Sequence, residues 1–135
     1  MLKVGDQYSS SFIITQDQVS AFASVSGDQN PLHLDEAYAA GTPFKKPIAH
    51  GMLSAAIISK VLGMEFPGQG TLYLSQQLDF KRPVYPDMPL RADFEILEIH
   101  EGKHIAAIST KIFETEKGKL LVDGQATVRH DQLIL

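Results

Sequence analysis

From Gly51 to about Met64 the chain carries a helix-length run that is apolar on nearly every side. Met52, Leu53, Ala55, Ala56, Ile57, Ile58, Val61, Leu62 and Met64 cover almost the whole circumference of a helix. Ser54, Ser59 and Lys60 are the polar interruptions. A helix that apolar must be wrapped by other elements on most of its sides. A membrane is not what wraps it, because a spanning helix needs about 20 consecutive apolar residues. The rest of the chain has to supply the cover.

The rest reads mostly as strands. Tyr8, Ser10, Phe12 and Ile14 alternate with Ser9, Ser11 and Ile13, which predicts a first strand from Gln7 to Ile14. Thr15 stands three residues before Gln18, a capping-box pair that starts a helix with Val19, Phe22 and Ala23 on one face. Gly27 ends that helix in the left-handed conformation. Asp35 caps a short helix through Tyr38 and Ala40, stopped by Gly41. Beyond the apolar helix, Pro67-Gly68-Gln69-Gly70 breaks the chain. Leu72, Leu74, Leu78 and Phe80 then share one face, opposite Tyr73, Ser75, Gln77, Asp79 and Lys81. Leu90, Ala92, Phe94 and Ile96 alternate next, and the apolar phase switches to Leu97 and Ile99, the mark of a bulge. Glu101-Gly102 and Lys117-Gly118 are turns on either side of a strand from Ile105 to Phe113. Leu120, Val122, Ala126 and Val128 form the last. Five strands, four of them consecutive, and one central helix make an α+β fold. The physical solution is an antiparallel sheet curled around a buried helix, the hot-dog architecture. Residues 1–135 are expected to form this single domain, with no repeat or linker.

Composition narrows the function. The net charge of -4, from 16 acidic and 12 basic side chains, argues against a nucleic-acid binder, which needs a basic face. With no cysteine there is neither a disulfide frame nor a thiol nucleophile. The first residues show no charged leader followed by an apolar stretch, so a soluble cytoplasmic protein is expected.

The chemistry-bearing residues cluster just before the apolar helix. Gly27-Asp28-Gln29-Asn30-Pro31-Leu32-His33-Leu34-Asp35 is followed by Pro47-Ile48-Ala49-His50-Gly51-Met52. Together with Phe22-Ala23, Phe44 to Pro47 and Phe80-Lys81-Arg82-Pro83-Val84, these segments resemble the (R)-specific enoyl-CoA hydratases of the MaoC-like family. The resemblance covers most of the chain. It implies a hot-dog fold, usually dimeric, acting on an acyl thioester. It puts the family's catalytic Asp and His on Asp28 and His33, and its oxyanion-binding backbone amide on Gly51. Ser59 and Leu62 match positions that shape the acyl pocket in that family; packing in the helix interior is the other reading of both. One departure is Tyr85-Pro86-Asp87-Met88-Pro89, where the family usually carries Gly-Asp.

The residue types suit that chemistry. Hydration of an enoyl thioester adds hydroxide to C3 and a proton to C2, with negative charge building on the thioester oxygen. It needs a held water, a proton acceptor, a proton donor and an oxyanion hole. Asp28 and His33 lie five residues apart, which on a regular helix separates them by about 140°. The Asn30-Pro31 turn is what lets both face one water. Alone, Asp28 is a turn-former and His33 a satisfied core or surface histidine; the complete motif favours a dyad. Gly51 opens the apolar helix, so its amide has no intrahelical partner and a carbonyl can approach closely. Its other use is to relieve crowding between helix and sheet. Asn30 either orients Asp28 or pairs with turn backbone. His50 is expected to bond a loop carbonyl in a structural role. Lys45, Lys46, Lys81 and Arg82 are candidates for coenzyme A phosphates, or solvated surface charge.

Asp28, His33, Asp35 and His50 match none of the usual metal-ligand spacings, so no metal is expected. No cofactor is expected beyond the coenzyme A carried by the substrate. The expected partners are an acyl-CoA thioester and a second copy of the chain, with neither nucleic acid nor membrane. The leading reading is (R)-specific hydration of trans-2-enoyl-CoA. The alternatives are a related dehydratase or thioesterase on another acyl-CoA or acyl-carrier-protein thioester, and a catalytically silent thioester-binding module.

Overall fold

The computed structural model describes residues 1–135. Strand β1 (Gln7–Phe12) leads into helix α1 (Gln16–Ser26), two short helices α2 (Pro31–Leu34) and α3 (Glu36–Ala40), and the long helix α4 (Gly51–Met64). Strands β2 (Leu72–Phe80), β3 (Leu90–His100), β4 (Ile105–Glu114) and β5 (Leu120–Arg129) follow. They form one antiparallel sheet in the order β1-β3-β4-β5-β2. α4 packs Leu53, Ile58, Val61 and Leu62 onto the inward face of that sheet, against residues such as Phe94, Ile108, Ile112 and Val128. This is the hot-dog arrangement expected from the run of strands around one apolar helix.

Local signals are realised where the chemistry is local. Thr15 accepts from the Gln18 amide at 3.1 Å, and the Gln18 side chain accepts from the Thr15 amide at 2.9 Å. Gly27 ends α1 with φ 81°. Asp35 caps α3 by accepting from the Tyr38 amide. The phase switch in β3 is a register shift between Ile96 and Glu98. Asp87, in the loop that departs from the resembling family, takes φ 66°, a left-handed conformation that glycine usually fills and Asp tolerates.

Two expectations about the strands are corrected. β1 ends at Phe12, two residues short of the expected Ile14. In β2 the four apolar residues do not share a face, because the register shifts between Tyr73 and Ser75. Tyr73 opposes Val128 and packs on the core; beyond the shift Gln76 opposes Ala126 and Phe80 opposes Val122. Leu72, opposite the exposed Arg129, turns outward, and Leu74, at the shift, is exposed as well. Nor does one chain wrap α4 completely. Met52 is 61% exposed, and Ala56, Ser59 and Met64 are exposed along the same helix.

Candidate active site

The site is built where α1 stops. After Gly27 the chain turns through Asp28, whose Oδ1 accepts from the Asn30 amide at 3.2 Å while its own amide donates to Ser26 Oγ at 3.1 Å. Asn30 then caps α2, its Oδ1 accepting from the Leu32 amide, with Pro31 as the first helical residue. A single turn of helix thus places His33 one step behind Asp28. The Gln16 side chain donates to the His33 carbonyl at 3.0 Å and ties α2 to α1.

Two imidazoles meet there. His33 is buried, and its Nδ1 lies 2.7 Å from the Ile48 carbonyl. A carbonyl only accepts, so Nδ1 carries the proton and Nε2 holds the lone pair. His50 stands at the N-cap of α4 and is 2% exposed. Its Nε2–H donates to the Asp28 carbonyl at 2.9 Å, the loop-carbonyl bond expected of it. The two rings stack with centroids 3.9 Å apart and planes 30° from parallel. Phe22 of α1 packs against His50 from another side, at 4.9 Å. The segment before α4 is anchored by the Ala49 amide, which donates to the Val84 carbonyl at 2.8 Å.

Both imidazoles line a cleft of about 520 Å³. Asp28, Gly51, Ser54, Lys81 and Arg82 are its other polar lining residues, and Phe44, Ile48, Phe80, Val84 and Val122 belong to its apolar wall. No side chain caps α4, so the Gly51 amide keeps its donor for a ligand, with the helix dipole behind it. A Cβ at Gly51 would lie 2.8 Å from the Phe80 ring, so the glycine also relieves helix–sheet crowding, the second use expected of it. A ligand atom from each of Asp28, His33 and His50 falls within 4.8 Å of the others. One nitrogen of each ring already donates to a carbonyl, which leaves each ring a single lone pair.

Residues 4–118 match the family described as MaoC like domain. The chain belongs to the MaoC-like domain family. The (R)-specific enoyl-CoA hydratase of Aeromonas caviae is 45% identical over 95% of this chain and 95% of its own. The solved (R)-hydratase from A. caviae involved in PHA biosynthesis has a TM-score of 0.91 to this chain at 44% identity, covering 96% of this chain and 97% of that one. A mitochondrial 3-hydroxyacyl-(acyl-carrier-protein) dehydratase of Arabidopsis thaliana is 33% identical over 94% of this chain and 76% of its own.

In this MaoC-like domain the cleft brings together Asp28, His33, Gly51, Lys81 and Arg82. Asn30 is outside it: its side chain pairs with turn backbone while its amide holds the Asp28 carboxylate, so both alternatives for it occur through different atoms. Ser59 and Leu62 do not line the cleft, which on α4 reaches only Ser54. Leu62 is 1% exposed in the core and Ser59 lies on the open side of α4. Lys45 and Lys46 do not line it either, and Lys46 borders a separate groove. Ser54, Phe44 and Phe80 also line the cleft; Phe44 and Phe80 lie in segments that carry the resemblance but had no role expected of them, and Ser54 is not singled out. The spacing of Ser54, three after Gly51, is the available signal for one of them.

Proposed function

We propose that this protein adds water across the double bond of a trans-2-enoyl-CoA to give the (R)-3-hydroxyacyl-CoA, and runs the reverse dehydration. The observation that carries the proposal is one cleft shared by the Asp28 carboxylate, the lone-pair nitrogen of His33 and the free Gly51 amide. Its likeness to the A. caviae hydratase over nearly the whole of both chains supports the same reading.

The chemistry follows from the donors and acceptors. A water between Asp28 and His33 donates one O–H to the carboxylate and the other to Nε2. As its oxygen attacks C3, Nε2 takes a proton; the imidazolium returns a proton to C2, and the dyad ends as it began. The Ile48 carbonyl keeps the other ring nitrogen protonated throughout, so one tautomer serves both steps. The Gly51 amide donates to the thioester oxygen as its charge grows. Lys81 and Arg82 meet the coenzyme A phosphates, a reading supported by their exposure at the cleft. The chain works as a homodimer, in which a second copy covers the open side of α4 and brings Ser59 within reach of the acyl chain.

The test is the loss of enoyl-thioester absorbance with crotonyl-CoA and longer enoyl-CoAs, with chiral analysis of the product. Asp28→Asn and His33→Gln each lower the rate about 100- to 10,000-fold. The double variant loses far less than the product of the two, because the pair acts as a unit. Near-native rates in both folded single variants overturn the proposal. The 33% identity to a carrier-protein dehydratase favours a second reading, the same chemistry on an acyl-carrier-protein thioester. Comparing kcat/KM for matched coenzyme A and carrier-protein substrates decides between them.

A further inference from the structure

We propose that His50 is the positioning residue of the dyad, holding Asp28 through its ring N–H and His33 through its ring face. This rests on the hydratase reading of the cleft.

Three observations converge on it. The Nε2–H of His50 donates to the main-chain carbonyl of Asp28, a bond that spans 22 residues of sequence. Its ring lies against the His33 imidazole at 3.9 Å. Its remaining nitrogen, Nδ1, is buried with no hydrogen-bond partner. A residue kept for packing alone would be apolar there, since an orphaned buried nitrogen costs stability that a phenyl ring would not. The polar and ring contacts of His50 on the site thus fall on the two members of the dyad.

The dyad needs such a support. Asp28 is exposed on a turn, and its side chain is held only by the Asn30 amide. His33 is fixed in its ring plane by the Ile48 carbonyl, but that bond does not stop the ring from tilting. The His50 ring blocks the tilt, and Phe22 braces His50 from α1. A water shared by two side chains tolerates little drift, as a misplacement of about 1 Å can cost roughly 100-fold in rate. His50 stands at the first step of α4, so the same residue also fixes the distance from the dyad to the Gly51 amide.

Two variants separate the contacts. His50→Phe keeps a ring and loses the donor; His50→Gln keeps an amide N–H near the position of Nε2 and loses the ring. With saturating enoyl-CoA, His50→Phe lowers kcat about 100-fold and His50→Gln about tenfold, while KM and the melting temperature stay close to those of the parent. In a chain already carrying Asp28→Asn, either change costs much less, because there is little left to position. Hydrogen exchange of the Asn30 amide, which bonds the Asp28 carboxylate, speeds up in His50→Phe and not in His50→Gln. That readout needs no turnover. Parental kcat and parental Asn30 exchange in His50→Phe overturn the inference, as do losses that multiply fully with Asp28→Asn. Should His50→Phe fail to fold, His50→Gln combined with Asp28→Asn still decides the question: losses that multiply fully overturn the inference, and losses that overlap support it. A parent chain that turns over no enoyl-CoA sinks the hydratase reading instead, and the exchange experiment still tests His50.

Discussion

At the scale of single residues, the cleft contains two positions whose surroundings predict opposite responses to alanine. A methyl group added at Gly51 would sit 2.8 Å from Cε1 and 2.9 Å from Cζ of Phe80. Phe80 is 52% exposed at the end of β2, so its ring can swing aside at small cost. It is also a wall of the cleft, and the displaced ring reshapes the path of the thioester. Gly51→Ala should therefore melt within a few degrees of the parent yet lose at least about tenfold in kcat/KM. Parental kcat/KM in the folded variant would show that the thioester does not need the space the glycine leaves beside Phe80. Ser54 is the converse. Its Oγ is buried on α4 with no partner, so Ser54→Ala removes no hydrogen bond and gains helix propensity. Denaturant unfolding should show a stability unchanged or raised by about 0.5 kcal/mol; a clear loss would reveal a partner for that hydroxyl. Asp28 and His33 were legible as a candidate pair through the resemblance to the MaoC-like hydratases, and the turn between them brings both to one cleft. The contacts of His50 were not, because the Asp28 carbonyl it meets lies far away in sequence and carries no residue-specific mark.

Elements were legible where a few adjacent residues fix the backbone. The Thr15–Gln18 capping box, the left-handed Gly27 and the span of α4 all rest on local hydrogen bonds and apolar spacing, and all three are found. The inward face of β2 was not legible, because a bulge changes which side chains point to the core. Nothing in Leu72-Tyr73-Leu74 distinguishes a bulged from a regular strand. Its partner strand explains how the inverted stretch is accommodated. Gly124 of β5 lies opposite Leu78, and a Cβ there would fall 2.5 Å from the Gln77 carbonyl oxygen and 2.9 Å from Gln76 Nε2. That amide reaches Thr110 of β4 at 2.9 Å across the space the glycine leaves. Here the obstacle is backbone, and β5, paired on both edges, cannot shift away from it. Gly124→Ala should cost about 3 kcal/mol, several times the loss from a clash with a free ring. Thr15→Ala, which removes one half of the capping box, should cost about 1 kcal/mol. Chemical denaturation of both variants checks the ranking, and a Gly124→Ala chain as stable as Thr15→Ala would show that the sheet flexes there.

At the scale of the whole molecule, the apolar circumference of α4 demanded more cover than one chain provides. The sheet and its connections bury Leu53, Ile58, Val61 and Leu62, yet Met52, Ala56 and Ser59 remain exposed along the other side, and Met64 at the end of the helix. Beside them β2 ends the sheet as an unpaired edge, with Leu72 and Leu74 facing solvent. Unpaired edges and contiguous apolar stripes mark surfaces that meet a partner. A second copy, with β2 against β2 and α4 beside α4, would answer both at once, and an isologous contact closes on itself without further growth. Ala56 lies in the middle of that stripe and is exposed in the single chain, so Ala56→Arg places its charge in water unless a partner is there. Sedimentation of the parent should give twice the mass of one chain across a wide concentration range. Ala56→Arg should sediment as a single chain with its circular dichroism intact. If Ser59 borders the acyl site only in the dimer, the monomeric variant should also lose most of its activity on longer enoyl-CoAs, while Ser59→Phe in the dimer shortens the preferred chain. A parent that sediments as one chain, or an Ala56→Arg chain that still pairs, would leave the open side of α4 without this explanation.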